Sequence, residues 1–161
     1  GYIAKENDDI SFLSIVDKSG EDYGYSDFIK DIDTVIIGRK TYEKVLTYGI
    51  EFPHKDKRCF VITRTPREAE DNLFFYTHNL KELIIKLKSE EGKHIFVDGG
   101  SEIINSLMKQ NLIDEFVLSI IPVFLGDGIR LFKDGRPEMN LKLVDSKIFE
   151  TGLVQLHYTK V

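Results

Sequence analysis

Asp33-Thr34-Val35-Ile36-Ile37-Gly38-Arg39-Lys40-Thr41-Tyr42-Glu43 is the stretch that decides the fold. Val35, Ile36 and Ile37 are consecutive, β-branched and apolar, which suits a strand buried on both faces. Gly38 closes that strand, and Thr41 to Leu46 reads as a short helix. Working outward, the same kind of unit recurs. Phe60-Val61-Ile62-Thr63, ended by Arg64-Thr65-Pro66, Leu73-Phe74-Phe75-Tyr76, and His94-Ile95-Phe96-Val97, closed by Asp98-Gly99-Gly100, are further strands. Phe116 to Ile121 is the longest. Leu80, Leu83, Ile84 and Leu87 recur at helical spacing, so Leu80 to Glu91 is the clearest helix. Asn79 with Glu82 makes a capping-box pattern at its start, and Gly92 is the expected left-handed residue beyond its end. Ser101 to Gln110 is a second helix with Ser101 as its expected N-cap, and residues around Asp22 to Lys30 form another. Strands alternating with helices predict a parallel sheet covered on both faces. Leu153 to Val161 alternates apolar and polar residues, and the C-terminal strands, joined by polar turns, read as antiparallel. The expected fold is three-layer α/β/α with a mixed, mostly parallel central sheet.

Composition narrows the class. A chain of 161 residues with 42% hydrophobic side chains is enough for one real core, so residues 1–161 are expected to form a single domain. Its net charge of −5 argues against a nucleic-acid-coating or polybasic membrane protein. No apolar run approaches the roughly 20 residues that span a bilayer. Cys59 is the single cysteine, which rules out an intrachain disulfide and points to a reducing, cytoplasmic setting. His54, His78, His94 and His157 are scattered and share no ligand spacing with Cys59, so no metal site is expected. The chain carries no H-E-x-x-H, G-x-x-x-x-G-K-[ST] or G-x-S-x-G.

In open α/β sheets ligands bind beyond the carboxyl ends of the strands. Three such ends stand out. Gly38-Arg39-Lys40-Thr41 joins a glycine, two cations and a hydroxyl to a helix start. That is either an anion site, most simply for a phosphate, or a tight turn with solvated cations. Asp98-Gly99-Gly100-Ser101-Glu102 puts paired glycines between a strand and a helix. They either let the backbone approach a pyrophosphate or serve a turn needing positive φ. Thr63-Arg64-Thr65 offers a guanidinium and two hydroxyls, as a ribose phosphate would need, but equally suits a plain surface loop.

Together these motifs resemble a known family. Gly38-Arg39-Lys40-Thr41-Tyr42-Glu43 is similar to the Gly-Arg-x-Thr-Trp/Tyr-Glu stretch of dihydrofolate reductases, and Asp98-Gly99-Gly100-Ser101-Glu102 to their strand-Gly-Gly-helix turn. Leu112 to Glu115 and Ile121-Pro122-Val123-Phe124-Leu125-Gly126-Asp127-Gly128 through Phe132 resemble the reductase half of the riboflavin-biosynthesis deaminase/reductase. One cysteine cannot supply the deaminase's own motif, so the likeness is to a stand-alone bacterial reductase of dihydrofolate-reductase-like fold. The family opens with a central strand leading into Ser-Leu-Asp-Gly-x-Ile-Ala, of which Gly1-Tyr2-Ile3-Ala4 is the visible end. About a dozen preceding residues, which normally line the nicotinamide pocket, are therefore expected in the natural protein.

The resemblance implies an NADPH-dependent reductase that transfers a hydride to a small, heterocyclic substrate of the dihydrofolate or aminouracil-ribitol type. Gly38, Arg39, Lys40 and Thr41 would hold cofactor phosphates, Thr63 and Arg64 the adenosine 2′-phosphate, and Gly99, Gly100, Ser101 and Glu102 the pyrophosphate. Asp98 is the first candidate for the acid or polar clamp beside the substrate and Asp22 the second, with Tyr42 and Phe28 as pocket walls. Replacing Arg39 is expected to weaken NADPH more than NADH. The family pattern also makes a homodimer plausible. The alternatives are a non-catalytic NADP(H)-binding or redox-sensing module, and an interaction domain without cofactor.

Overall fold

Val35, Ile36 and Ile37 are wholly shielded from solvent, and the rest of the molecule is layered around them. The computed structural model describes residues 1–161. In chain order it contains β1 (Tyr2–Ala4), two 3-10 turns (Glu6–Asp8 and Ser11–Val16), α1 (Tyr25–Lys30), β2 (Ile32–Gly38), α2 (Arg39–Leu46), β3 (Arg58–Ile62) and β4 (Leu73–Tyr76). There follow α3 (Leu80–Ser89), β5 (His94–Gly99), α4 (Ser101–Lys109), β6 (Glu115–Ile120), β7 (Ile129–Arg130), β8 (Leu141–Ile148) and β9 (Val154–Lys160). β4, β3, β2 and β5 form a parallel sheet in that order. β6, β9 and β8 form an antiparallel one, and β1 pairs with β7. The fold is α/β with a parallel central sheet and antiparallel C-terminal strands, as the residue pattern predicts.

Side chains alternate across a strand, so the apolar run of β2 feeds two cores. Ile32, Val35 and Ile37 meet Tyr42, Cys59 and Val61 on the face where Phe28 of α1 packs. Ile36 meets Leu83, Ile84 and Leu87 of α3 and Leu107 of α4 on the other. No helix is long and apolar enough to cross a membrane.

Several local expectations shift. α2 begins at Arg39, two residues earlier than its apolar pattern suggests, with Gly38 as N-cap. α4 is capped by Gly100, so Ser101 is its buried first residue and not its cap. α1 starts only at Tyr25, leaving Asp22 ahead of it. Asn79 does cap α3, accepting from the N–H groups of Lys81 and Glu82. That helix stops at Ser89, and Gly92 is absent from the positive-φ glycines. Gly92 supplies room instead, because a Cβ there would lie 2.6 Å from Asp33 Oδ2. β8 carries no alternation to read, since all eight of its residues are exposed.

That Asp33 oxygen accepts the Lys93 N–H at 2.6 Å, and the bond holds the carboxyl below its ordinary value of 3.8. A carboxyl lowered by folding stabilises the native state above its ordinary value, and the gain is lost as pH falls through the lower folded one. Asp33→Asn is therefore expected to flatten the fall of Tm with pH below about 3.8. Identical acid limbs for the variant and the parent would remove Asp33 from this account.

β5 and β6 are end strands of their sheets, and a cavity of about 1020 Å³ lies along both, lined largely by apolar side chains. Asp98, near the carboxyl end of β5, borders it.

Candidate active site at the carboxyl ends of the parallel strands

The register of the parallel sheet gathers the three singled-out loops at one edge. Gly38 pairs with Ile62 on one side, and Ile37 with Gly99 on the other. Loop 38–41 therefore lies between loop 63–65 and turn 98–101. Gly38 has φ −74 and ψ 145, ordinary extended backbone, so its glycine is not there for conformation. It is there for space. A Cβ at Gly38 would stand 3.3 Å from Ile103 Cγ1, 3.4 Å from Gly100 N and 3.5 Å from Gly99 O. Likewise, a Cβ on Gly100 would stand 3.0 Å from Thr41 Oγ1. Gly99 itself has φ +106, which only glycine adopts without strain.

The start of α2 thus abuts the turn that opens α4, and neither helix has a side-chain cap. α3, away from this edge, is capped by Asn79. The first N–H groups of a helix have no partner within it and carry its positive dipole end. Two adjoining, uncapped helix starts walled by glycines make an anion cradle.

The charges around the cradle differ from their appearance in the sequence. Arg39 Nη1 lies 2.6 Å from Glu43 Oε2, and Arg67 lies 3.6 Å from the same carboxylate, so Arg39 is engaged in an ion pair that it shares with Arg67. Glu102 is bonded by Lys133. Lys40 and Arg64 are exposed too, and neither takes part in an ion pair. Thr63 is buried, and its Oγ1 accepts the Thr65 N–H at 3.1 Å, which shapes the turn that carries Arg64.

The two acidic candidates have different surroundings. Asp22 Oδ1 accepts the Gly24 N–H at 2.9 Å and Oδ2 the Ser26 N–H at 3.0 Å. Bonds from Ser26, through its side chain first and then its backbone, and from Gly24 hold that carboxyl below the usual range. Asp22 lies ahead of α1, whose N-cap is Gly24, and accepts a first-turn N–H; it does not line the cavity that Asp98 borders. Tyr42 is no pocket wall either. It is buried against Phe52 and Phe75, with ring centroids at 5.3 and 5.9 Å. Phe28 does line the cavity, edge-on to Phe96 at 5.0 Å.

Asp98 has a partner that sequence spacing missed. His54, just before β3, is buried, and its Nε2 lies 3.0 Å from Asp98 Oδ2. The two are 44 positions apart, so no local pattern links them. The only cue is a histidine directly after the apolar Phe52-Pro53 pair. Burial and then the Asp98 charge push the Cys59 thiol up to about 12, so it stays protonated and unreactive. Burial, then the charges of Asp98 and Asp56, also raise the Tyr25 hydroxyl.

A parallel sheet whose central strand runs into two adjoining helix starts without side-chain caps, with a carboxylate held by a buried histidine alongside, defines an α/β protein with its candidate site at the carboxyl ends of the strands. The chain belongs to the RibD C-terminal domain family, whose pattern matches residues 26–155. It is 42% identical over 161 residues to the uncharacterized protein YwjB of Bacillus subtilis strain 168, covering 99% of this chain and 91% of that one. Among solved structures, it is similar to a Shewanella sp. PV-4 protein assigned provisionally to riboflavin biosynthesis. That match has a TM-score of 0.90 and 27% identity, covering 100% of this chain and 93% of the other. A pyrimidine reductase-like protein of Corynebacterium diphtheriae has a TM-score of 0.62 at 15% identity, covering 88% of this chain and 82% of its own, and shares the fold.

Proposed function

We propose that the protein is an NADPH-dependent reductase of a small nitrogen heterocycle of the dihydrofolate or aminouracil-ribitol type. The observation that carries this reading is the meeting of the α2 and α4 starts at Gly38 and Gly99–Gly100, where no side chain caps either helix. Such a cradle fits a dinucleotide pyrophosphate, since its N–H groups need an acceptor and its glycines let one approach. Lys40 and Thr41 would border the same phosphates, with Ser101 at the start of α4. Arg64, on the turn set by Thr63, would take the 2′-phosphate that separates NADPH from NADH. When bound, the nicotinamide supplies the hydride. Asp98 would orient the acceptor by accepting a hydrogen bond from it at its carboxylate. Membership of the RibD C-terminal domain family supports the reading.

The test is thermal melting with NADPH and with NADH, followed by NADPH oxidation with dihydrofolate and with a ribosylaminouracil phosphate as acceptors. A ligand at 100 times its Kd stabilises by about 2.7 kcal/mol, which is several degrees at roughly 2–4 °C per kcal/mol for this size. A larger rise with NADPH than with NADH is expected, and no rise with either would sink the proposal. Arg64→Ala is expected to weaken NADPH by about 10-fold or more and leave NADH nearly unchanged, the loss of one charge-assisted hydrogen bond. Arg39→Ala, whose guanidinium is already paired with Glu43, is expected to discriminate less. Equal losses for both cofactors in the Arg64 variant would remove its 2′-phosphate role.

A further inference from the structure

We infer that His54 is a positioning residue, which holds Asp98 in a single orientation for the substrate; the inference rests on the reductase reading above. His54 is 3% exposed and stands edge-on between the rings of Phe52 and Phe96, with centroids at 5.5 and 6.0 Å. Its Nε2 is 3.0 Å from Asp98 Oδ2, and its Nδ1 is buried with no hydrogen-bond partner. These three facts select the tautomer. A proton on Nε2 is donated to a carboxylate, whereas one on Nδ1 would be a buried donor with no acceptor and would leave Nε2 facing an anion. The doubly protonated ring buries the same unpaired N–H. His54 therefore donates from Nε2 and occupies one oxygen of Asp98.

The consequence lies on the Asp98 side. Its side chain is 28% exposed and borders the cavity, so its second oxygen is the one left for a ligand. Cys59 and Tyr25, the other titratable groups that respond to this carboxylate, keep their protons, because burial and the Asp98 charge raise both. A carboxylate locked by a buried donor loses no rotamer freedom on binding, which is what preorganisation requires.

His54→Phe keeps an aromatic ring between Phe52 and Phe96 and removes only the donor. His54→Gln restores an N–H near the position of Nε2. With NADPH oxidation measured on dihydrofolate and on the ribosylaminouracil phosphate, His54→Phe is expected to lose about 10- to 100-fold in kcat/KM while its NADPH-induced melting shift is retained. His54→Gln should recover most of that loss. Imidazole 15N spectra of the parent protein should show the proton on Nε2, a readout that needs neither variant to fold. A proton on Nδ1, a His54→Phe enzyme as active as the parent, or equal loss of melting shift and turnover in both variants would overturn the inference. If the parent binds NADPH and turns over while His54→Phe matches it, only this inference falls. A parent that oxidises no NADPH with either acceptor takes down the reductase reading and this inference with it.

Discussion

Replacing Ile36 with alanine is expected to destabilise the protein by about 2–5 kcal/mol, a fall in Tm of roughly 4–20 °C at this chain length. Ile36 has no exposed surface and faces Leu83, Ile84 and Leu87 of α3 and Leu107 of α4. Its neighbours in β2, Val35 and Ile37, face the opposite core, so neither can move in to fill the void. Removing three carbons forfeits their transfer from water and leaves a cavity where two helices join the central strand. Ile148→Ala is the matched control. Ile148 is 83% exposed on β8, and its loss is expected to change stability by less than about 0.5 kcal/mol. Chemical denaturation of both variants decides the matter, and similar losses would mean that the two-faced role of β2 is misjudged.

Gly38→Val is the functional counterpart. The backbone at this position is already in the region valine prefers, so the change imposes no conformational strain. It places branched carbons where a single Cβ would already sit 3.3–3.5 Å from Ile103, Gly100 and Gly99. Crowding of this kind costs about 1–3 kcal/mol of stability, and by pushing the two helix starts apart it is expected to weaken NADPH binding as read by titration calorimetry. Gly38→Ala should be milder, since those contacts are tight without being forbidden. A Gly38→Val protein that melts like the parent and binds NADPH equally well would show that the two helix starts do not form the cofactor cradle.

How much of this was legible differs from element to element. The central strand and the helix over 80–89 could be read because burial on one or both faces imprints a short-range period on side-chain polarity. β8 could not, because a fully exposed strand carries no such imprint. Helix starts were legible to within three residues. The roles of their flanking residues were harder: Ser101 looks like a cap and Gly92 like a left-handed stop. The first is displaced by Gly100 and the second serves the close approach of Asp33.

The candidate site divides in the same way. Glycines closing apolar strands marked Gly38 and Gly99–Gly100 from the chain alone, since a strand-glycine-helix junction is a local pattern. Which cation remains available was not local. Arg39 and Arg64 look equivalent in sequence, yet Glu43 occupies only the first. Tyr42 and Asp22 carry the right chemistry for a pocket, but one is core and the other is engaged by the N–H groups of Gly24 and Ser26.

Local periodicity and glycine placement thus determined the α/β class, the parallel sense of the central strands, and the strand-glycine-helix junctions that the sheet gathers at one edge. Tertiary structure alone decided that α2 and α4 begin side by side, that Arg39 is ion-paired while Lys40 and Arg64 are not, and that His54 meets Asp98. The physical reason is that hydrophobic period and turn chemistry act over a few residues. A hydrogen bond between positions 44 apart is set by the packing of the sheet that brings them together.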